Sequence, residues 1–555
     1  MRSKDWKIYL VVWSLLFVAY FLIRSTTMIV WDDTTAITSN PIQDRIIISW
    51  EDPDVILKSL AYSFENLSGG GYRPLSTFIQ SLGTLHFRSS NPNAYVWYVF
   101  NGFILGILGV IFFSISKIIL RSNSYALISL FLFITSPPLL QSLWITFAGI
   151  QAIVPIIFGT GLILYWDITI RNSKKSLFTL CLVLLIGPYF REFTGLLPIL
   201  LVFLDILKNK KPGYITYIAI VGFVHALYPT FIVKIIAYPE LPLVSIFEMG
   251  HFGEQVKIID VSNILSSISF QAPLNLFSLS PTLFILSIFI LIQKSFVHKE
   301  ITQNDLFLGF WFLLTFLPFL KVYTEQVHLI YCLMPLSILI ASALGWAYKA
   351  EILPRTLIII LLIPLLLDQS TNVYGTYKVV NSCNEGIIKM ANWFTENTPK
   401  NSRIISNALH AEDIRLFSKK HIKVNWTVKA GVPRPDESLI NADDYRQFLK
   451  NNTENVYLLA MDFNYEDHKR GYHSHRFIKY DELYKKDYGN VYVVRARYPY
   501  VDPLKYFMPR KYMSFLGPPD LENDYYRGPS QDGAVFLREV FVRYRVIEVS
   551  SQGQQ

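Results

Sequence analysis

The chain has 555 residues, of which 52% are hydrophobic and 17% are charged, and its mean hydropathy is +0.33. A soluble protein of this length is less apolar, so the composition indicates an integral membrane protein with many spans. The formal net charge is +9, but the basic residues of the first two thirds lie in short clusters between apolar runs. That pattern is typical of membrane topology and argues against a nucleic-acid-binding surface. Cys181, Cys332 and Cys383 lack the spacing of a metal site or a disulfide framework.

Apolar runs predict about eleven transmembrane helices. Alternate connections carry the basic clusters, which predicts that these connections face the cytoplasm. We interpret 176–207 as two helices that turn at Gly187–Phe190. An odd number of crossings then places loop 31–94 and everything after residue 368 on the external side of a plasma or inner membrane. The runs lie near 8–30, 95–116, 125–142, 148–166, 176–190, 193–207, 214–236, 281–293, 305–320, 327–348 and 356–367.

Two adjacent carboxylates, Asp32 and Asp33, follow the first apolar run directly after Trp31. Tryptophan is enriched at the bilayer surface, and ionisable groups are tolerated there. Two neighbouring carboxylates cannot both lose their water cheaply, so we expect one to act on protons or bind a cation while the other stays solvated or paired. The alternative is an ordinary solvated loop start.

Further along the same external loop, Gly69–Gly71 precede Tyr72, Arg73 and Pro74. The glycines allow a tight turn, and the proline restricts the residue before it to an extended backbone. Arg73 is therefore held in a defined direction. Its planar guanidinium suits a lipid phosphate, either that of a substrate or that of an ordinary phospholipid.

The stretches Trp31–Pro41 and Tyr72–Phe78 resemble the first luminal loop of the transmembrane-and-tetratricopeptide O-mannosyltransferases and their bacterial relatives. Arg191–Gly195 and Glu325–Pro335 are similar to two further segments of that family. The resemblance covers the membrane part only, because no 34-residue helical repeat follows it. It implies the C-type glycosyltransferase fold of the protein O-mannosyltransferase superfamily and a polyprenyl-phosphate-linked sugar donor.

Sugar transfer from a lipid phosphate to a hydroxyl group of a protein, lipid or glycan needs a base for that hydroxyl and cations for the departing phosphate. The resemblance and the predicted topology place candidates for both on the external face. Glu192 is expected to orient Arg191, although the two could simply cap a helix turn, and His328 could be an ordinary interfacial histidine. The candidates are Asp32 and Asp33 for the base, and Tyr72, Arg73, Arg191, Glu192 and His328 for the donor.

A divalent cation is the one cofactor that the sequence leaves open. Glu248, His251 and Glu254 would share a helical face, which is a spacing compatible with a metal. Gly250 and Gly253 interrupt that helix, so we assign no metal site.

After residue 368 charged and aromatic residues become frequent, and helical and strand patterns alternate. A helix is predicted at Gly386–Asn397, and strands are predicted at 403–406, 456–460, 491–494 and 534–548. We therefore expect a transmembrane transferase module over 1–368 and an external soluble α/β domain over 369–555. That domain is either a scaffold over the membrane site or a surface for the acceptor.

A transporter or flippase of a lipid-linked glycan is the alternative function, because it too needs a membrane groove and phosphate-binding arginines. Such a protein is expected to carry charged residues near the middle of the membrane and to show symmetry between its halves. The sequence shows neither feature, which favours the transferase.

Overall fold

The computed structural model describes residues 6–25, 52–65, 72–88, 94–136, 139, 148–237, 288, 291–320, 329–349, 370, 385–386, 388–400, 402–406, 423–426, 455–465, 484–497 and 539–549. These residues fall into two compact units. The first contains nearly all the described residues up to 349, and the second contains those from 385 onward.

The first unit is helical. Short π-helical turns occur at Tyr228–Ile232 and Gln293–Val297, and 3₁₀ turns occur at Glu192–Gly195 and Leu317–Leu320. The α-helices are α1 Trp6–Ser25, α2 Val55–Glu65, α3 Pro74–Arg88, α4 Ala94–Leu120, α5 Asn123–Ile134, α6 Ala148–Arg171, α7 Lys174–Phe190, α8 Leu196–Asn209, α9 Tyr214–Leu227, α10 Val233–Ala237, α11 Gln303–Phe316 and α12 Ile330–Lys349.

Three helical segments in the described part of the chain are long and apolar enough to cross a membrane: Val96–Leu120, Ala152–Arg171 and Ile330–Tyr348. Trp6–Phe21 and Tyr214–Leu227 are among the shorter apolar helices. The apolar helices support the predicted membrane protein, whereas the count of about eleven spans stays a prediction.

The predicted division of 176–207 into two helices is present. Helix α7 ends at Phe190, and α8 begins at Leu196 after the 3₁₀ turn. The break lies just beyond the predicted turn, because Pro188 is accommodated inside the last turn of α7 and the backbone becomes extended only at Arg191.

The helices around this break are packed against one another. Helix α3 contacts α2 and α7, α7 contacts α6 and α9, and α8 contacts α9 and α11. At the other end of α8 the buried carboxylate of Asp205 accepts hydrogen bonds from Asn209 Nδ2 at 2.7 Å, from the Gly213 amide at 2.9 Å and from Thr216 Oγ1 at 2.6 Å. Hydrogen bonds to a charged group contribute about 1.5–3 kcal/mol each. This cluster therefore fixes α8 against α9.

Among the described residues, four that are not glycine have a left-handed backbone. Three of them directly follow an α-helix, and Lys299 lies two residues after a π-helical turn. The four are Arg121, Asn172, Lys210 and Lys299, with φ between 51° and 57°. Three of the four are basic and belong to or adjoin clusters predicted to face the cytoplasm. A cation near a helix C-terminus is stabilised by the helix dipole, which offsets part of the left-handed strain.

The second unit contains a five-stranded sheet with the order β2-β1-β3-β5-β4. Strand β1 is parallel to both its neighbours, whereas β5 is antiparallel to β3 and β4. The predicted strand at 403–406 is β1, and the other three predicted strands overlap β3, β4 and β5. The strands are β1 Arg403–Ser406, β2 Lys423–Trp426, β3 Val456–Tyr465, β4 Tyr484–Arg497 and β5 Glu539–Val549.

The predicted helix at Gly386–Asn397 is observed over 388–397. Its buried Phe394 meets Tyr457 of β3 edge to face at 6.2 Å, and Trp393 meets Tyr488 of β4 at 5.1 Å. A helix thus covers one face of the sheet. That the whole segment 369–555 is an external α/β domain stays a prediction.

The predicted topology can be tested with cysteine labelling. Cys181 is exposed on α7, whereas Cys332 is buried. In a Cys181→Ser background we expect an impermeant maleimide to label Cys383 in intact spheroplasts. In a Cys181→Ser, Cys383→Ser background, a cysteine placed at Lys211 should react only after the membrane is opened. Labelling of the Lys211 position in intact spheroplasts would contradict the assignment of sides.

Candidate active site at the break between α7 and α8

The break between α7 and α8 places an arginine and a glutamate side by side on a short, fixed turn. Arg191 has an extended backbone with φ −160° and ψ 141°, and its amide donates to the Gly187 carbonyl at 3.4 Å. The Thr194 hydroxyl donates to the Arg191 carbonyl at 2.7 Å. The turn therefore satisfies its own backbone groups and holds Arg191 and Glu192 in defined positions.

Glu192 forms an ion pair with Arg73, which lies 119 residues earlier in the chain. Arg73 Nε donates to Glu192 Oε2 at 2.7 Å, and the two side chains are only 13% and 15% exposed. Arg73 immediately precedes Pro74, the first residue of α3, and its carbonyl accepts from the Thr77 amide at 2.9 Å. Proline is favoured at that first helical position, so the start of α3 aims Arg73 at the break.

A second contact reinforces the same junction. The Ser76 hydroxyl donates to the Phe190 carbonyl at 2.5 Å. Ser76 is buried, and Phe190 is the last residue of α7. The Ser76 side chain thus bonds the N-terminus of α3 to the backbone at the C-terminal end of α7.

The ion pair controls the charge of Glu192. Burial is the largest single effect and raises the pKa of its carboxyl group. The charge of Arg73, the hydrogen bond from Arg73, a backbone hydrogen bond and the charge of Arg191 together lower the pKa by more. The pKa of Glu192 therefore lies below its ordinary value of 4.5. Glu192 is an anion at neutral pH.

Arg191 is oriented by the start of α12. Its Nη1 atom donates to the Tyr331 hydroxyl at 2.6 Å. The Tyr331 ring is buried and stacks on Phe193 with 4.5 Å between ring centroids. Three segments that are far apart in the sequence therefore meet at the break: the turn before α3, the turn after α7 and the beginning of α12.

The expectation that Glu192 orients Arg191 stays a prediction. The Glu192 carboxylate accepts from Arg73, and Arg191 donates to Tyr331. Side chains of successive residues in an extended backbone point in opposite directions. Because Arg191 is extended, it and Glu192 diverge toward different helices.

Several predicted residues lie outside the described part of the chain. The site residues among them are Asp32, Asp33 and His328, and the open metal candidates Glu248, His251 and Glu254 are also outside. No group of three potential metal-binding side chains occurs among the residues that the structure describes. Tyr72, Arg73, Arg191 and Glu192 are all described.

Two site residues were missed at the sequence level, Tyr331 and Ser76. Tyr331 belongs to the Glu325–Pro335 stretch, in which only His328 was assigned to the site. Ser76 belongs to Tyr72–Phe78, and its backbone contact leaves no sequence pattern. The signal for Tyr331 is a phenol, able to accept from arginine, within a stretch that resembles a family segment.

We expect Glu192→Gln to reduce the free energy of unfolding by on the order of 1–3 kcal/mol, because Arg73 would lose its counter-charge. The pKa of Glu192 is lowered by folding, so the stabilisation is fully present above the ordinary value of 4.5 and is lost as the pH falls through the folded value. Thermal melting in detergent should show a wild-type advantage at pH 7 that shrinks below pH 4.5. A difference that does not change with pH would contradict the ion pair.

None of the known protein-family models matches the sequence, and no curated protein sequence matches it either. Several solved structures show partial similarity. The apo oligosaccharyltransferase of Archaeoglobus fulgidus aligns with a TM-score of 0.46 and 12% identity over 82% of this chain and 70% of its own.

A second structure, the oligosaccharyltransferase AglB of the same organism in complex with an inhibitory peptide and a dolichol-phosphate, aligns with a TM-score of 0.45 and 12% identity over 81% and 69%. Apo ArnT from Cupriavidus metallidurans aligns with a TM-score of 0.41 and 11% identity over 83% and 93%. Similarity at this level does not establish the family of the chain.

Proposed function

We propose that the chain is a multi-pass membrane glycosyltransferase of the C-type fold that moves a sugar from a polyprenyl-phosphate donor to a hydroxyl acceptor on the non-cytoplasmic face. The observation that carries the proposal is the meeting of Arg73 and Arg191 at one helix break. The segment after residue 368 belongs to the proposal as an external domain.

The charges at the break favour an anionic ligand. Within the described part of the chain, the guanidinium groups of Arg73 and Arg191 lie at the break together with the carboxylate of Glu192. Each guanidinium has five N–H donors, so the Nε bond of Arg73 to Glu192 uses one of them. Arg73 and Arg191 are half-buried, where charges interact more strongly than in water. A phosphate group matches both the charge and the planar donor geometry.

The proposed reaction uses this anion site for the leaving group. A carboxylate, Asp32 or Asp33, takes the proton of the acceptor hydroxyl, and the hydroxyl oxygen then bonds to the anomeric carbon of the sugar. The bond from that carbon to the phosphate oxygen breaks, and its electrons stay on the phosphate. Arg73, Arg191 and His328 stabilise this charge. Glu192 holds Arg73 in place and takes no proton.

A flippase of the lipid-linked glycan remains the second candidate, because it would bind the same phosphate. In the helical unit, the buried charged residues that the structure describes lie near helix ends. Asp205 is close to the end of α8, and Lys294 lies in the π-helical turn Gln293–Val297 and pairs with Asp305 in the first turn of α11. A decisive experiment incubates the purified protein with radiolabelled undecaprenyl-phosphate hexoses and a heat-inactivated cell-envelope extract that supplies acceptor hydroxyls. A transferase releases undecaprenyl phosphate, whereas a flippase leaves the lipid-linked sugar intact.

We expect Asp32→Asn and Asp33→Asn each to insert normally and melt like the wild type, and at least one of them to lose transfer. General-base catalysis typically contributes about 10²–10⁴-fold, so the decrease should be of that size. The measurement is the release of undecaprenyl phosphate. Near-normal transfer by both variants would eliminate the carboxylate pair as the base.

The variant Arg73→Lys keeps the positive charge but loses the planar guanidinium group, whose several N–H donors can bond to Glu192 and to a phosphate at the same time. Removing one donor to a developing anion typically lowers turnover by about 10²–10³-fold. If Arg73 acts in the transition state, turnover at saturating donor falls; if it acts only in ground-state binding, the donor KM rises and turnover is kept. Unchanged turnover and KM in Arg73→Ala would remove Arg73 from the site.

Tyr331→Phe deletes the hydroxyl that accepts from Arg191 but keeps the ring that stacks on Phe193. We expect thermal stability close to that of the wild type and a turnover reduced by about tenfold, since a mispositioned guanidinium stabilises the leaving group less well. Tyr217→Phe, at an exposed position of α9, is the matched control. Equal activity in the two variants would show that Arg191 needs no help from Tyr331.

A further inference from the structure

Five aromatic side chains lie together next to the helix break, and we call them the tyrosine cluster. Tyr189 is at its centre: its ring centroid is 6.2 Å from that of Tyr72, 6.4 Å from that of Phe64 and 5.7 Å from that of His225. The Tyr72 and Tyr228 phenols are close enough to influence each other electrostatically. The members are Phe64, Tyr72, Tyr189, His225 and Tyr228.

The cluster adjoins the proposed phosphate site along the chain in two places. Tyr72 directly precedes Arg73, and Tyr189 lies two residues before Arg191. Its members come from α2, the turn before α3, the end of α7 and the end of α9. Helix α9 passes into a π-helical turn at Tyr228, and such turns occur frequently at functional sites.

The rings are accessible, and the phenol oxygens are able to form hydrogen bonds. Phe64 and Tyr228 are each 44% exposed, while Tyr72, Tyr189 and His225 are half-buried. The Tyr72 hydroxyl donates to the Phe64 carbonyl at 3.2 Å. Burial raises the pKa of Tyr72, and the neighbouring Tyr189 and Tyr228 phenols raise it further. The Tyr72 phenol is therefore protonated at neutral pH.

This combination of ring faces and hydroxyls matches a sugar. A pyranose ring has an apolar C–H face that packs on aromatic rings and a rim of hydroxyls that bond to phenols. Ligand sites typically combine apolar walls with a few polar groups in this way. An isoprenoid chain has no groups for the hydroxyls to bond. None of the five members is a carboxylate, ammonium or guanidinium side chain, which favours a neutral sugar.

We propose that the tyrosine cluster binds the neutral sugar ring of the lipid-linked donor, beside the phosphate held by Arg73 and Arg191. This inference rests on the proposed function, and it assigns recognition of the sugar to a surface separate from the arginines. It follows that loss of the cluster affects the sugar-bearing lipid and not the bare lipid phosphate.

The experiment compares binding of undecaprenyl phosphate with binding of its mannosyl, glucosyl and galactosyl esters to purified protein in detergent. We expect Tyr189→Leu to weaken binding of at least one ester about tenfold, which is about 1.4 kcal/mol, and to leave bare undecaprenyl phosphate unchanged. Tyr189→Phe keeps the ring face and should lie between wild type and Tyr189→Leu. Tyr217→Leu, on the exposed face of α9, should bind every lipid like the wild type.

Arg73→Ala distinguishes the two proposals, since it should weaken binding of the bare lipid and the esters equally. If Tyr189→Leu also weakens both equally, the cluster holds lipid or phosphate and the sugar inference is overturned. The same holds if Tyr189→Leu, with an unchanged melting temperature, binds every ester like the wild type. A different result contradicts the proposed function itself: the wild-type protein, supplied with acceptor, releases undecaprenyl phosphate from none of the esters.

Discussion

The contact between Arg73 and Glu192 determines how the site is built. A guanidinium that is largely removed from water needs a counter-charge, because breaking such a pair leaves an uncompensated charge. The pair therefore ties the turn before α3 to the turn after α7, with the Ser76 hydroxyl on the Phe190 carbonyl beside it. With these two turns fixed, the Arg191 side chain points away from Glu192 and donates to Tyr331.

The order of charges at the break suits the helices on either side. Arg191 caps the C-terminus of α7, which is the negative end of the helix dipole. Glu192 is the first residue of the following 3₁₀ turn, which is the positive end of that turn's dipole. The same two residues thus stabilise the helix ends and supply the charges of the site. A continuous helix through 176–207 could not do this, because neither residue would then lie at a helix end.

The sequence predicted the break and the segments that meet there, because Gly187, Pro188 and the basic clusters at both ends of 176–207 are local signals. It did not predict the partners. Glu192 and Arg191 are neighbours in the sequence, and only the extended backbone at Arg191 shows that their side chains diverge. The Tyr331 contact, like the tyrosine cluster, depends on helix packing over more than 100 residues, which periodicity does not encode. The strands of the second unit were predictable because alternation is local, whereas their order β2-β1-β3-β5-β4 was not.

The separation of the partners along the chain has a consequence for biosynthesis. Arg73 leaves the ribosome 119 residues before Glu192, and Arg191 leaves it 140 residues before Tyr331. At about 5–20 residues per second, each interval lasts on the order of ten seconds. During the first interval, helices α3 to α7 are made while Arg73 lacks the counter-charge of Glu192. The nascent chain therefore has a stage at which a cation of the future site is exposed to whatever anions, lipid headgroups or insertion factors surround it.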